Sequence, residues 1–320
     1  MSRLTVSIVN YRTPDLVIEC IDSLRAHAPT GIELEIVVVE NASGDGSAER
    51  IATARPDVRV IRSECNLGFA GGNNLALRAC DSEYVLLLNS DAKVEAGTLD
   101  GLIAALDARP RAAAVGARIV NATDGADQDY PCRFPTLPEM VRRALGGPQF
   151  PGRGRSEPVE LERLHGACML IRGAALRDVG LLDDGFFMYD EDVDWCVRAR
   201  ARGWSLWLVP ALRVLHHGGS SSQRAPSGQR TRDARGDTAL RMRIELRRSR
   251  YRLYRKHRGV VELLLLKALT DLVMLLACVR TLARWLALPS ERDGATAMLR
   301  NHLRVLGLNP FAGGRDALEP

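Results

Sequence analysis

The sequence lacks the cysteine pairs and the leading hydrophobic segment that mark exported or metal-caged proteins. Its seven cysteines are an odd, scattered set without a C-x-x-C pair, which fits neither a disulfide scaffold nor a zinc site. The apolar run at residues 4–9 is too short for the hydrophobic part of a signal peptide. We therefore expect a cytoplasmic protein in a reducing compartment.

Disorder and low complexity are also absent. Of the 320 residues, 46% are hydrophobic and 26% charged, and the 28 glycines and 15 prolines lie near average usage. No internal repeat is visible. This length favours one large α/β domain with an appendage.

The net charge of +5 is confined to one region. Residues 224–258 hold thirteen Lys and Arg against three acids, so the rest of the chain is net negative. A general nucleic-acid-binding surface is therefore not expected, whereas an anionic partner fits this one segment.

The segment after this basic region is apolar. Residues 260–279 are interrupted by Glu262, Lys267 and Asp271, and three charges make spanning a bilayer costly. We expect the helix to lie on an anionic membrane surface, at the inner face of the cell membrane. The alternative is a helical hairpin that packs against the rest of the protein or against a second copy in a homodimer.

Apolar runs alternate with helical patterns through the first 120 residues. This alternation predicts an α/β fold with a doubly wound, mostly parallel sheet. The predicted strands are residues 4–9, 34–39, 58–61, 84–88 and 112–120, and the predicted helices begin near 13, 47, 73 and 98. Residues 121–164 are rich in proline and irregular, and we expect them to shape an acceptor site. A strand at 167–172, an acidic helix at 190–202 and a strand at 204–209 follow.

Polar residues follow the predicted strands at the edge where α/β sheets bind ligands. Each alone could be a turn or cap, but their joint placement favours a binding site. They are Asn10, Glu40, Asn41, Asp45, Asn66, Gly71, Asn73, Asn89 and Asp91. Asp91, which follows a buried strand, is either a cap or a carboxylate that holds a divalent cation on a diphosphate.

Two further groups carry chemistry. Asp190, Glu191, Asp192 and Asp194 crowd four carboxylates into five residues, either as a reactive group or as an acidic first helical turn paired with later arginines. On a helix, Glu191 and Asp192 point about 100° apart, so only one of them faces a given substrate. His216 and His217 follow an apolar stretch, and either imidazole could complete a cation site with Asp91.

Five segments in this order resemble an inverting glycosyltransferase of family 2, of the rhamnosyltransferase-like subgroup. They are VVENASGDGS (38–47), NLGFAGGN (66–73), LLNSD (87–91), GACML (166–170) and FFMYDEDVD (186–194), and the resemblance covers roughly residues 4–220. It implies a GT-A fold, a nucleotide-diphosphate sugar donor, a divalent cation (Mg2+ or Mn2+), and a lipid-linked or glycan acceptor.

The resemblance also implies roles for single residues. Glu40 stands where the family has an Asp that contacts the base, and Asn89 with Asp91 occupies the D-x-D position, so Asp91 alone supplies the acidic metal contact there. His216 matches a metal-contacting histidine. Asp192 matches the catalytic base, with Glu191 beside it. The acceptor would meet Gly166, Ala167 and Asp194.

The expected domains are a catalytic domain at 1–222, a basic linker at 223–259 and a helical region at 260–320. Within the first, residues 1–120 would bind the nucleotide sugar and 121–222 the acceptor.

Thymidine-diphosphate rhamnose is the expected donor, and a uridine-diphosphate sugar such as galactofuranose is the alternative. A sugar-phosphate nucleotidyltransferase is disfavoured, because no Gly-rich, Arg-containing loop follows the first strand. A non-catalytic membrane module would leave the strand-end carboxylates unexplained.

Overall fold

A computed structural model describes residues 2–78, 80–128, 132–146, 154–218, 232–288, 290 and 292–312. The chain divides into two units, one of residues 1–184 and 191–229, the other of residues 185–190 and 230–320. A short segment, 185–190, therefore groups with the C-terminal helices although it lies within the first unit's stretch of sequence.

The first unit is an α/β domain. Its strands are β1 (Arg3–Asn10), β2 (Glu33–Glu40), β3 (Arg59–Arg62), β4 (Tyr84–Leu88), β5 (Ala92–Val94), β6 (Ala112–Asn121), β7 (Val159–Glu160), β8 (Cys168–Arg172) and β9 (Ser205–His216). Its helices are α1 (Pro14–Ala26), α2 (Ser47–Ala54), α3 (Gly68–Leu77), α4 (Thr98–Asp107), α5 (Leu137–Ala144), α6 (Gly173–Val179) and α7 (Glu191–Ala201).

All nine of these strands join one sheet in the order β3-β2-β1-β4-β8-β6-β9-β5, with β7 attached to β9. The half made of β3, β2, β1 and β4 is parallel, as is the pair of β6 and β9. Strand β8 runs antiparallel between β4 and β6, and β5 runs antiparallel to β9. The predicted α/β class and doubly wound parallel half are confirmed, while β8 reverses direction in the middle.

The core lies on both faces of the sheet because the central strands are apolar on both faces. In β4, Leu86 and Leu88 pack with helices α1 and α4, whereas Val85 and Leu87 pack on the opposite face with α6 and α7. This two-sided burial explains why the strand is a continuous apolar run.

Helix α3 begins earlier than the sequence predicts. The expected start near residue 73 left the preceding glycines in a loop, but the helix already starts at Gly68. A Cβ atom on Gly72 would lie 2.9 Å from Cγ1 of Val9, so this glycine allows the helix to pack closely on β1. Close packing of the helix on β1 explains the glycine at this position.

Helices make up most of the described part of the second unit. It contains α8 (Arg232–His257), α9 (Gly259–Ala287) and α10 (Arg292–Leu306). The region predicted as a basic linker thus contains the 26-residue helix α8. Across the described helices of the chain, none combines the length and the apolar character that crossing a membrane requires.

Candidate active site

The carboxyl ends of β1 and β2 bring the first predicted residues together. Asn10 lies opposite Glu40 in the parallel register. Asn10 accepts hydrogen bonds from Thr13 through its Oδ1 atom, and the Thr13 hydroxyl in turn lies 3.3 Å from Oγ of Ser90, just after β4. Three strand ends are therefore tied to one another at this edge.

In the loop after β2, the carboxylates of Glu40 and Asp45 accept hydrogen bonds from residues of the same loop. Glu40 is 7% exposed, and its Oε1 accepts a hydrogen bond of 2.8 Å from the backbone N–H of Ser43. Asp45 is exposed and accepts from the N–H and hydroxyl of Ser47 at the start of α2. Asp45 thus makes a local turn with the first residue of the helix, while its exposure leaves it accessible to a ligand.

Asn41 and Asn66 hold the neighbouring loop together. The side-chain amide of Asn41 donates to Oδ1 of Asn66 at 3.0 Å and to the carbonyl of Gly68 at 3.1 Å. Its own Oδ1 accepts from the N–H of Leu67. Asn41 is buried and Asn66 half-buried, so Asn66 is the one closer to solvent.

Gly71 and Asn73 lie in the interior rather than at this edge. Asn73 is 1% exposed, accepts from the Ser7 hydroxyl at 2.7 Å and donates to the carbonyl of Phe69 at 2.9 Å. Gly71 is buried within α3. Both residues are therefore held inside the protein by α3, and their contact with the nucleotide sugar stays a prediction.

Asp91 and His216 are brought together across 125 positions of sequence. Strand β5 pairs with β9 so that Ala92 lies opposite His216. As a result, Nε2 of His216 lies 3.2 Å from Oδ1 of Asp91, and both side chains are less than a tenth exposed. The side chain of His217 does not take this place, although its backbone N–H donates to the carbonyl of Asp91 at 3.1 Å.

The tautomer of His216 follows from Gln128. The Gln128 amide nitrogen donates to the carbonyl of His216 at 2.7 Å and to Oδ1 of Asn121 at 3.1 Å, so its oxygen is an acceptor. That oxygen lies 2.8 Å from Nδ1 of His216, which must carry the ring proton. Nε2 then carries the lone pair, and Oδ1 of Asp91 lies 3.2 Å from it.

These atoms suit a divalent cation. An imidazole nitrogen and a carboxylate oxygen are ligands of Mn2+, and a hydrogen-bonded outer group such as Gln128 orients a ligating histidine. Asn89 also lies here, with its amide nitrogen 2.9 Å from Nε2 of His216. Within the described part of the chain, no three His, Cys, Asp or Glu side chains converge, so the protein would supply two such ligands, and a diphosphate could supply others.

Asp192 lies at the beginning of α7 and is 6% exposed. Its Oδ2 accepts a hydrogen bond of 2.9 Å from the N–H of Gly166, and its Oδ1 accepts one of 2.7 Å from the N–H of Val193. A guanidinium nitrogen of Arg163 lies 3.8 Å from Oδ2. Each carboxylate oxygen retains a lone pair, so the group can still accept a proton.

Its acidic neighbours are placed differently. Glu191 is also 6% exposed. Asp194 is fully buried and forms an ion pair of 2.8 Å with Arg198, whose guanidinium also donates to the carbonyls of Val179 and Leu181. Asp194, predicted to meet the acceptor, thus connects α7 to the end of α6.

Sequence analysis missed two residues of the site, Arg163 and His165. Arg163 lies near Asp192 on the carboxylate side, and His165 lies near His216 on the cation side. His165 packs edge-to-face against His216, with ring centroids 6.5 Å apart. Burial lowers the pKa of His165 to about 4, because the nearby Arg163 and His216 add to the desolvation that Asp192 only partly offsets. Their only signal in the sequence is that both lie within three positions before Gly166.

A model of the family described as Glycosyl transferase family 2 matches residues 5–180. An N-acetylglucosaminyl-diphospho-decaprenol L-rhamnosyltransferase of Mycobacterium tuberculosis is 30% identical over 61% of this chain and 70% of that protein. A low-salt glycan biosynthesis hexosyltransferase of Haloferax volcanii is 28% identical over 67% of both chains. The rhamnosyltransferase WbbL of Escherichia coli is 27% identical over 47% of this chain and 61% of that protein.

Solved structures share the GT-A fold. A mannosyltransferase from Pyrobaculum calidifontis, in complex with GDP-Man and Mn2+, aligns with a TM-score of 0.52 at 18% identity, over 95% of this chain and 87% of that one. GalNAc-T7 with UDP, GalNAc and Mn2+ aligns with a TM-score of 0.55 at 17% identity. The alignment covers 78% of this chain and about half, 47%, of GalNAc-T7. Both neighbours hold Mn2+, which makes the fold one that accommodates a divalent cation.

The Asp194–Arg198 pair predicts a stability effect without a binding effect. Asp194→Ala would leave a largely buried guanidinium without its carboxylate, which costs about 3 kcal/mol in free energy of unfolding. Urea denaturation measures this loss, and KM for acceptor should not change in the folded fraction. Glu33→Ala, which removes a half-exposed ion pair with Arg3, is the control and should cost about 0.5 kcal/mol or less. A stable Asp194→Ala variant with a raised acceptor KM would instead support the acceptor role.

Proposed function

The chain belongs to glycosyltransferase family 2, and from this premise we propose that it transfers a sugar, with inversion, from a nucleotide-diphosphate donor to a lipid-linked acceptor. Asp192 is the general base in this proposal, and Asp91 with His216 holds the cation at the donor diphosphate. The donor sugar is rhamnose.

The observation that carries the proposal is the arrangement around Gly166. The N–H of Gly166 donates to Asp192, and the adjacent residue His165 packs on His216, which lies 3.2 Å from Asp91. A single short segment therefore touches both the carboxylate proposed as base and the side-chain pair proposed to hold a cation. A glycosyl transfer requires these two functions on opposite sides of one anomeric carbon.

In the reaction, an acceptor hydroxyl gives its proton to Asp192 as its oxygen forms a bond to the anomeric carbon. The bond from that carbon to the diphosphate oxygen breaks on the opposite face, which inverts the configuration. The N–H groups of Gly166 and Val193 fix the carboxylate, so it is already oriented when the hydroxyl arrives. A bound divalent cation would stabilise the charge that develops on the departing diphosphate.

On the donor side, Glu40, Asp45 and Asn66 are the residues best placed to meet the nucleotide. They belong to the loops that follow β2 and β3, and Asp45 and Asn66 retain exposure. Asn10 and Asn41 support these loops by internal hydrogen bonds. Gly71 and Asn73 affect the nucleotide site indirectly, through the packing of α3.

The identity of donor and acceptor rests on similarity. The relative from Mycobacterium tuberculosis carries rhamnose and a diphospho-decaprenol acceptor in its name, and the Escherichia coli relative is also named a rhamnosyltransferase. A uridine-diphosphate sugar such as galactofuranose is the alternative donor. Transfer assays with both donors and a polyprenyl-diphosphate N-acetylglucosamine acceptor separate them, because product from only one identifies the sugar.

If Asp192 is the base, Asp192→Asn removes the proton acceptor while keeping nearly the same shape. We expect kcat to fall by about 100-fold or more, with the donor Kd nearly unchanged. Glu191→Gln, the matched change at the adjacent residue, should lower kcat less than Asp192→Asn does. A variant Asp192→Asn that turns over at more than a few per cent of the normal rate would exclude this assignment.

The proposed cation site predicts coupled losses. Asp91→Ala and His216→Ala should each weaken Mn2+-dependent donor binding, and the double variant should lose less than the sum, because both side chains act on one ion. Donor titrations by calorimetry, with and without Mn2+, measure this. His217→Ala serves as the control and should bind donor normally. Fully additive losses would indicate separate sites.

Helix α9 supports the proposed contact with an anionic membrane surface. One side of it is buried at Leu263 and Leu266, while the other carries a row of exposed apolar side chains. These are Val260, Val261, Leu264, Leu265, Leu272, Val273, Leu275, Leu276, Val279, Leu282 and Leu286. The interrupting charges are paired, since Glu262 binds Arg258 and Asp271 binds Lys267. A membrane at the cytoplasmic side would also present a lipid-linked acceptor.

This anchoring predicts mixed salt behaviour. Electrostatic attraction is worth about 1 kcal/mol per basic residue near the surface and is screened by salt, whereas apolar insertion is not. High salt should therefore release only part of the protein from phosphatidylglycerol vesicles in a sedimentation assay. Leu265→Glu with Leu272→Glu should abolish the salt-resistant part, because both side chains are 54% exposed on α9.

The matched control is Val141→Glu with Leu145→Glu, two exposed apolar residues of the first unit. It should leave vesicle binding unchanged. No sedimentation at low salt, together with a dimer in solution that the α9 substitutions dissociate, would assign the exposed row to a homodimer and overturn the membrane proposal.

A further inference from the structure

The segment 185–190, which leads directly into α7, is held by α8. Arg250 forms an ion pair with Asp190, with Nε 2.6 Å from Oδ2 and Nη2 3.0 Å from Oδ1. The hydroxyl of the adjacent Ser249 donates to the carbonyl of Met188 at 2.7 Å. The guanidinium of Arg252 lies over the ring of Phe186, 5.2 Å from its centroid. Helix α8 therefore contacts this segment through a carboxylate, a carbonyl and an aromatic ring.

The held segment has an unfavourable backbone conformation. Tyr189 and Asp190 have φ angles of 71° and 62°, in the left-handed region that residues other than glycine rarely adopt. A tyrosine gains nothing from this conformation locally, so contacts elsewhere must maintain it. The ion pair is suited to do so, because the side chains of Arg250 and Asp190 are only 14% and 3% exposed.

Asp192 follows Asp190 by two positions, so the direction in which the chain enters α7 sets where its carboxylate lies. We propose that Arg250 is a positioning residue for Asp192: its bidentate ion pair with Asp190 fixes the left-handed turn at 189–190 and thereby aligns the carboxylate with the acceptor hydroxyl. This inference rests on the proposed role of Asp192 as base.

Arg248, another arginine of α8, makes a different contact. Arg248 pairs with Glu245 on the same helix, 2.6 Å apart, and its side chain is 27% exposed. Replacing Arg248 therefore removes the same charge from the same helix without touching the turn. This makes Arg248→Met the matched control for Arg250→Met.

The experiment uses the 320-residue chain and measures kcat, the donor Kd and hydrogen exchange of peptides covering residues 186–193. In Arg250→Met, we expect faster exchange there and a kcat about 100-fold lower, because a misplacement of about 1 Å costs that much. The donor Kd should stay unchanged. Arg250→Lys keeps the charge but loses the bidentate fork, so it should recover part of kcat. Arg248→Met should behave as the unmodified protein.

A second pair of variants keeps the test decisive if Arg250→Met folds poorly. Asp190→Asn with Arg250→Lys should lose less kcat than the sum of the two single changes, because the partners act as one unit. Unchanged exchange in Arg250→Met, additive losses, or faster exchange with normal kcat would each overturn the positioning role. The Asp192→Asn result judges the base assignment separately, because that assay does not involve Arg250.

Discussion

The site depends on two backbone groups, the N–H of Gly166 and the C=O of Ala167, which lie on either side of the Gly166–Ala167 peptide bond. The carbonyl of Ala167 accepts from the N–H of Asn89, which continues the antiparallel ladder of β8 with β4. The N–H of Gly166 donates to Asp192. Because these residues are adjacent, the single peptide bond between them links the residue after β4 to the carboxylate of α7. Gly166 has little room for a side chain, since a Cβ would lie 3.3 Å from the ring of Phe69.

Much of the fold follows from the apolar pattern, and its exceptions have physical causes. The continuous run that forms β4 identifies a strand buried on both faces, and the polar residues after it identify the ligand edge. Strand β5 has only three residues, too few to show a period, yet its pairing with β9 is what brings Asp91 to His216. The sequence could therefore suggest that these two residues meet but not how.

The residues of the candidate site differ in how far sequence could identify them. An Asp after a buried strand is informative because the chain must deliver it to the edge. Asn73 is a residue type that often binds ligands, but its side chain is hydrogen-bonded to Ser7 and to the carbonyl of Phe69 inside the protein. Gln128 and Arg163 carry no local pattern, because their partners lie 88 and 29 positions away. Contacts between residues so far apart in sequence depend on the topology of the fold. Hydrophobic periodicity does not predict that topology.

The proposed positioning role of Arg250 depends on residues 185–190, which group with the C-terminal helices although they precede α7 in the sequence. The family match ends at residue 180, before α7 and before all of α8. The predicted catalytic domain, 1–222, includes Asp190 and Asp192 but separates Asp190 from Arg250. Two successive left-handed residues next to a carboxylate that must be oriented are not stable on their own, so the chain needs a buried counter-charge for them. Arg250 of α8 supplies that charge to Asp190, and the pair is buried, with side chains 14% and 3% exposed.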